Sequence, residues 1–182
     1  MVNTEEILLL IIGAFISGSI GLLCSLFLEW NRNKNELKNI SKAFLLDIEH
    51  VEQKINPILT AHKIAGTISG HSMLLQVIIS LIQRGNPNYY LSKEFPLYPK
   101  NGAYYVFQKD MIKLDFQTVD KLNEFYKKII YADNCLQDYY NMTSTKTEDI
   151  QKYELQSDFF NSLTNAEAEI LELKEILETN VF

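Results

Sequence analysis

Three histidines, two cysteines and a few serine and acidic neighbours are the side chains of this chain that could carry metal, nucleophilic or acid–base chemistry. His50 follows Asp47 by three positions, a spacing that stacks the two on one helix face, and Glu49 stands beside it. A carboxylate-x-x-His unit is part of what a di-iron helical bundle needs, but no second such unit occurs, so His50, His62 and His71 read as surface or boundary side chains. Ser69 and Ser72 flank His71, yet adjacency along the chain is not a triad, whose members converge from separate elements. Cys24 lies in an apolar run, and Cys135 lies in a helical pattern where burial would keep its thiol inert. Two cysteines so placed suggest neither a disulfide framework nor a zinc site. Gly66, Gly70 and Gly85 fit no phosphate-binding or dinucleotide spacing. The acidic pair Glu148-Asp149 opens a predicted helix, where it complements the dipole. The run Glu167, Glu169, Glu172, Glu175 and Glu178 reads as a solvated helix face, with a docking surface for a basic partner as the alternative. The expectation is a chain with no catalytic residue, no cofactor and no metal site.

Composition points the same way. The 182 residues carry a formal charge of −6, and from Trp30 onward 17 basic side chains face 20 acidic ones. No clustered basic face of the kind that nucleic acid requires is present. Hydrophobic residues make up 47% of the chain, enough to build a core, and only 7 glycines and 4 prolines interrupt it, which favours long helices over a turn-rich β fold.

The strongest element is Ile7 to Leu28, a run of 22 residues without charge or proline. As a helix it would extend about 33 Å, matching a hydrocarbon core of about 30 Å. A cleaved signal peptide would need a basic start and a small-x-small cleavage site, whereas this chain starts MVNTEE and leaves the run as LFLEWNRNK. The reading is an uncleaved transmembrane helix at 7–28, a short extracytoplasmic N-terminus at 1–6 and a cytoplasmic helical domain at 31–182. Orientation follows from Arg32, Lys34, Lys38 and Lys42, which crowd one flank while the other holds no cation. The expected location is the inner, plasma membrane of the cell. Gly13, Ser17, Gly21 and Ser25 recur at every fourth position and form a small-residue face suited to close helix approach, so a homo-oligomer through this helix is expected.

Beyond the run, Leu37, Ile40, Phe44, Ile48, Val51, Ile55 and Ile58 step by threes and fours and predict an amphipathic helix continuing from the anchor to about Ile64, with a kink or a new turn at Pro57. Gly66 and Gly70 would bound a short connection. Met73 to Ile82 reads as a buried helix, with a strand or a membrane-hugging segment as alternatives. Asn86 to Asn101 is an aromatic, proline-containing loop that can pack onto the bundle. Ala103 to Leu114 predicts a short helix, and Asp115 a cap for the next one. That helix has Val119, Leu122, Tyr126, Ile129, Leu136 and Tyr140 on one face, and a last helix from about Glu148 to Glu178 carries Ile150, Tyr153, Phe160, Leu163, Ala166, Ile170, Leu173 and Leu177. The fold class is thus all-α: one N-terminal transmembrane helix followed by an antiparallel bundle of about four helices.

The stretch Leu97-Tyr98-Pro99-Lys100-Asn101-Gly102-Ala103-Tyr104-Tyr105-Val106-Phe107, then Lys109-Asp110 and Leu122 to Tyr126, resembles a pattern in uncharacterised small prokaryotic membrane proteins with one N-terminal transmembrane helix and a helical cytoplasmic domain. The resemblance covers about a quarter of the chain and implies an architecture and a prokaryotic setting, without an activity. Read by themselves, Asn101-Gly102 makes a turn and Tyr104, Tyr105 and Phe107 pack the helix that follows. The functional expectation is a non-enzymatic, single-pass interaction, scaffold or sensor protein. Its partners would be the bilayer, a second copy and an unidentified protein. The alternative is an oligomerising, membrane-disrupting or pore-forming effector.

Overall fold

Apolar side chains at helical spacing dictate the framework. In the computed structural model, residues 4–69, 80, 82, 96–99, 101–142 and 146–181 are described, with side chains at 19–64, 80, 82, 96–99, 101–142 and 151–181. The elements are α1 (Thr4–Ser69), the single turn α2 (Ala103–Val106), a 3-10 turn η1 (Met111–Lys113), α3 (Phe116–Asn141) and α4 (Lys146–Val181). The described residues contain no strand, and the all-α expectation holds.

α1 runs without interruption from Thr4 through the apolar run and on to Ser69. Ile40, Phe44, Ile48, Val51, Ile55 and Ile58 are buried as their spacing requires, and Leu37 packs half-buried beside them. Pro57 neither ends the helix nor starts a new one. It removes one N–H, whose partner would be the Gln53 carbonyl on an exposed turn that water can reach, while Ile55, Ile58 and Leu59 hold both sides in the core. Gly66 likewise lies inside α1 and does not bound a connection. Of the Met73 to Ile82 run only Ser80 and Ile82 are described: both are helical, and Ile82 packs against the core. The rest of that run, and Tyr89, Tyr90 and Phe95 of the aromatic loop, lie outside the described residues.

Ion pairs fix the directions. Lys63 meets Glu167 at 3.0 Å and Lys174 meets Glu52 at 2.6 Å, so α1 and α4 are antiparallel. Lys121 pairs with Glu172, Lys128 with Glu169, and Tyr131 Oη donates to Asp158 at 3.0 Å, so α3 and α4 are antiparallel too. α1 and α3 therefore run the same way. Residues 96–115 descend between them, from the level of Lys54 to that of Glu36. The topology is up, down, up, down, with three long helices and an irregular second limb over its described part. With the short α2, the described residues hold four α-helices, as the expectation of about four has it.

Ala103 to Leu114 shows why the predicted helix breaks up. Tyr104, Phe107, Met111 and Leu114 keep the three-four-three stepping and turn inward. The backbone keeps their register with tight turns: Asp110 N donates to Phe107 O at 2.9 Å, and Lys113 N to Asp110 O at 3.0 Å. Asp115 caps α3 as expected, its carboxylate accepting from Thr118 N at 2.9 Å and from the Thr118 hydroxyl. Those bonds hold its carboxyl below the usual range.

The buried face of α3 is wider than one stripe, since Phe125, Ala132, Cys135 and Tyr139 join Leu122, Tyr126, Ile129 and Leu136. This helix has a neighbour on two sides, the irregular limb and α4. In α4, Phe159, Phe160, Leu163, Ala166, Ile170, Leu173 and Leu177 are buried. Tyr153, expected on that stripe, is 65% exposed, and Gln156 takes the buried position one turn on. The Ile150 side chain lies outside the described ones.

Candidate functional site: a polar clasp and an uncovered apolar helix

The irregular limb is held by polar groups buried between α1 and α3. One oxygen of Asp47 on α1 accepts from the Tyr98 and Tyr126 hydroxyls, each at 2.7 Å. Tyr98 Oη in turn accepts from Tyr104 N at 2.8 Å, and the Tyr104 hydroxyl donates to Asn123 at 3.2 Å. One turn of limb away, Lys54 Nζ donates to the carbonyls of Pro96 and Leu97 at 3.2 Å, and Asp133 accepts from Leu97 N at 2.9 Å. Leu97 inserts its fully buried side chain between these two anchors. Tyr126, Tyr98 and Tyr104 pack their rings at centroid distances of 4.8 to 5.1 Å, and Phe44 meets Tyr126 at 5.9 Å.

The electrostatics describe a lock. Burial raises the hydroxyl pKa of Tyr98 and Tyr126 far above that of a free phenol, with the Asp47 carboxylate adding to it, so both remain donors. Burial draws the Lys54 pKa down, against the pull of Asp133 and Asp47, and pushes the Asp133 carboxyl up. Tyr98 is 4% exposed and Tyr126 has no exposed surface. Groups so enclosed and so mutually bonded orient one another.

Gly102 completes the clasp. Its φ of −65° is ordinary, so conformational freedom is not the reason for glycine here. Its N–H closes a turn onto Pro99 O at 2.9 Å, and a Cβ would overlap the Tyr98 ring and hydroxyl. Replacing Gly102 by Ala should push Tyr98 off Asp47 and cost about 1 to 3 kcal/mol, read as a lowered midpoint in thermal unfolding followed by circular dichroism.

The other residues singled out from the sequence are scattered. Asp47 faces the two tyrosines while His50 is exposed, so the pair does not make a common site. His71 and Ser72 lie outside the described residues, as does the Ser69 side chain. Cys135 is buried and its thiol pKa is raised by that burial, and Cys24 is exposed. Tyr131, beside Cys135, bonds Asp158 and has its phenol pushed up to about 12. Among the described residues no group of three or more His, Cys, Asp or Glu is placed to hold a metal ion. Three members of the acidic run, Glu167, Glu169 and Glu172, tie α4 to Lys63, Lys128 and Lys121. Glu172, Glu175 and Glu178 are exposed, as a solvated face requires, while Glu167 and Glu169 are half-buried in their pairs.

His62 stacks on Phe160 with ring centroids 3.7 Å apart and borders a cavity of about 200 Å³ with Tyr153, Ser157 and Asn161. Its Nδ1 is buried, and desolvation lowers its pKa from the usual 6.5. The unfolded chain then binds the proton more readily. Stability from this group is complete above pH 6.5 and is lost as pH falls through the lower folded-state value. Thermal midpoints measured from about pH 7.5 down to about pH 5 should drop less for His62→Phe than for the native chain, since the variant keeps the stack and loses the titration.

At the other end, every described side chain of α1 from Ser19 to Asn35 is exposed. Leu22 is 68% and Leu28 66% exposed, and exposure extends to all faces of the helix. Gly21 has nothing within 4 Å of where a Cβ would stand, and Ser25 is exposed, while the Gly13 and Ser17 side positions lie outside those described. Trp30 packs its ring 6.1 Å from Phe27, and Lys34 Nζ lies 5.5 Å over it. Arg32 pairs with Glu36 at 3.0 Å, and Lys34, Lys38 and Lys42 are exposed. Among the described residues no helix is long and apolar enough to cross a membrane. Side chains of the apolar run are described only from Ser19 to Leu28, ten of its positions. No family model matches this chain, and neither a curated protein nor a solved structure is similar enough to it to count as a match.

Proposed function

We propose that this chain is a single-pass, membrane-anchored interaction, scaffold or sensor protein without catalytic activity. In this reading residues 7–28 span the plasma membrane and the helical bundle lies on the cytoplasmic side. The observation that carries the reading is that the described end of the apolar run, Ser19 to Leu28, is exposed on every face and continues directly into a bundle with its own filled core. A core-facing helix shows one apolar stripe, whereas a helix apolar all round asks for an apolar surrounding on all sides. The clasp supports the non-enzymatic part, because its carboxylates and hydroxyls are engaged in holding the limb. Recovery of the intact chain in the membrane pellet after alkaline carbonate washing tests the anchor, and release into the supernatant would overturn it.

Small residues at Gly13, Ser17, Gly21 and Ser25 would let two such helices approach closely. Gly21 is a clean probe, because a Cβ there meets nothing within 4 Å among the described residues. Gly21→Leu, alone or with Gly13→Leu, should reduce crosslinked dimers in native membranes several-fold while the chain stays in the membrane fraction. Unchanged crosslinking would dismiss this face as the contact. An oligomerising pore former shares the anchor and this open face. Depolarisation of cells on induced expression, followed with a potential-sensitive dye, would favour it over the scaffold reading.

A further inference from the structure

Between the turn Met111–Lys113 and the start of α3, two of the bundle's apolar side chains, Ile112 and Phe116, point away from the core. Ile112 is 81% and Phe116 84% exposed, beyond any other large hydrophobic side chain among those described. The inward positions of the same turn are already filled by Met111 and Leu114, which are 3% and 7% exposed. Ile112 and Phe116 are therefore surplus to the core of the protomer.

Their height along the bundle is fixed. Lys113 Nζ bonds Glu36 at 3.0 Å, and Glu36 also holds Arg32. Glu36 lies six positions beyond Trp30, about 9 Å along the helix axis. A headgroup layer occupies about 5 to 8 Å on each side of the hydrocarbon core. With Trp30 at the interface, the Lys113–Glu36 pair places the turn at the outer edge of that layer, so that apolar side chains projecting toward the bilayer enter the headgroups. Arg32 and Lys113 meet at Glu36 beside the turn, and Lys34, Lys38 and Lys109 are exposed on α1 and the limb. Glu36 and Asp110 neutralise part of this charge through Arg32 and Lys113, and Asp115 is engaged in the α3 cap. Both the apolar pair and the cations suit an anionic lipid surface.

We infer that Ile112 and Phe116 make a second contact with the bilayer, seated among the lipid headgroups, so that the bundle stands on the membrane at a fixed orientation. This rests on the anchor reading above. Trp30 is the chain's one tryptophan and reports the anchor, while Phe116→Trp in a Trp30→Phe background reports the second contact. Position 116 is exposed, so the exchange leaves the core untouched. The full chain is reconstituted in phosphatidylcholine–phosphatidylglycerol vesicles, with and without acyl chains brominated near the glycerol end. The expected result is blue-shifted emission and quenching of at least two-fold for both reporters. Quenching of Trp30 with red, unquenched emission from position 116 overturns the second contact and leaves the anchor standing. Blue-shifted but unquenched emission from position 116 assigns the patch to a protein contact and also overturns it. If neither reporter is quenched, the anchor reading falls and this inference falls with it.

Discussion

Asp47→Ala should destabilise the bundle by about 3 to 5 kcal/mol, the largest effect expected of any single substitution in the clasp. The carboxylate accepts two hydroxyl bonds at 2.7 Å from residues with almost no access to water. Removing it strands both donors, and each buried hydroxyl without a partner costs about 1 to 3 kcal/mol. For a domain of this size the melting midpoint should fall by about 10 °C, measured by circular dichroism on the full chain in detergent. Asp47→Asn keeps an acceptor of the same shape without the charge and should cost about half as much. Tyr126→Phe deletes one donor cleanly and should cost about 1 to 2 kcal/mol. Tyr98→Phe also deprives Tyr104 N–H of its acceptor, so it should cost more than Tyr126→Phe. Equal costs for Asp47→Ala and Tyr126→Phe would mean that the carboxylate is not the hub.

The same contacts show where reading the chain residue by residue stops. The stripe from Ile40 to Ile58 is legible because a helix repeats its neighbours every three or four positions, and the filled core confirms it. The Asp115 cap is legible for the same reason, since its partner Thr118 is three residues on. The clasp is not. Asp47 meets Tyr98 across 51 positions and Tyr126 across 79, and no local pattern encodes such a meeting. Locally, Asp47 looks paired with His50 on one face. The packed limb turns the carboxylate to the tyrosines and leaves the imidazole exposed. Tyr98 and Gly102 belonged to a stretch legible only as an aromatic loop with a turn. Its aromatic content did signal packing, and Leu97 and Tyr98 are buried. The irregularity follows from a limb that must carry inward side chains to α1 and α3 together, which a single straight helix over Ala103 to Leu114 does not do here. The acidic run on α4 reads as a solvated face, and Glu172, Glu175 and Glu178 are exposed, but the sequence did not show that lysines on two neighbouring helices converge on three of its members. Single exposed pairs of this kind contribute about 0 to 1 kcal/mol each, so they orient the helices more than they hold them.

Replacing Arg32, Lys34, Lys38 and Lys42 together by Gln, with lysines put in place of Glu5 and Glu6, should turn a large fraction of chains around so that the bundle faces outward. The physical ground is that positive flanks are retained on the cytoplasmic side during insertion, and moving each charge against the membrane potential costs about 2.3 kcal/mol per 100 mV. If residues 7–28 span the membrane as proposed, the four cations on their C-terminal flank would bias the orientation by several kcal/mol. Lys34, Lys38 and Lys42 are exposed, and the Arg32 side chain is 80% exposed in its pair with Glu36, so their removal leaves the core of the bundle intact. Protease added to unbroken spheroplasts should spare the native bundle and digest that of the variant, and after lysis both should be cut alike. Equal protection of the two chains, with the variant still in the membrane pellet, would mean that these four cations do not set the orientation. On the proposed anchor, clasp and flank would act at separate levels: Asp47 holds the limb between α1 and α3, while the cations would set the side of the bilayer on which the locked bundle is found.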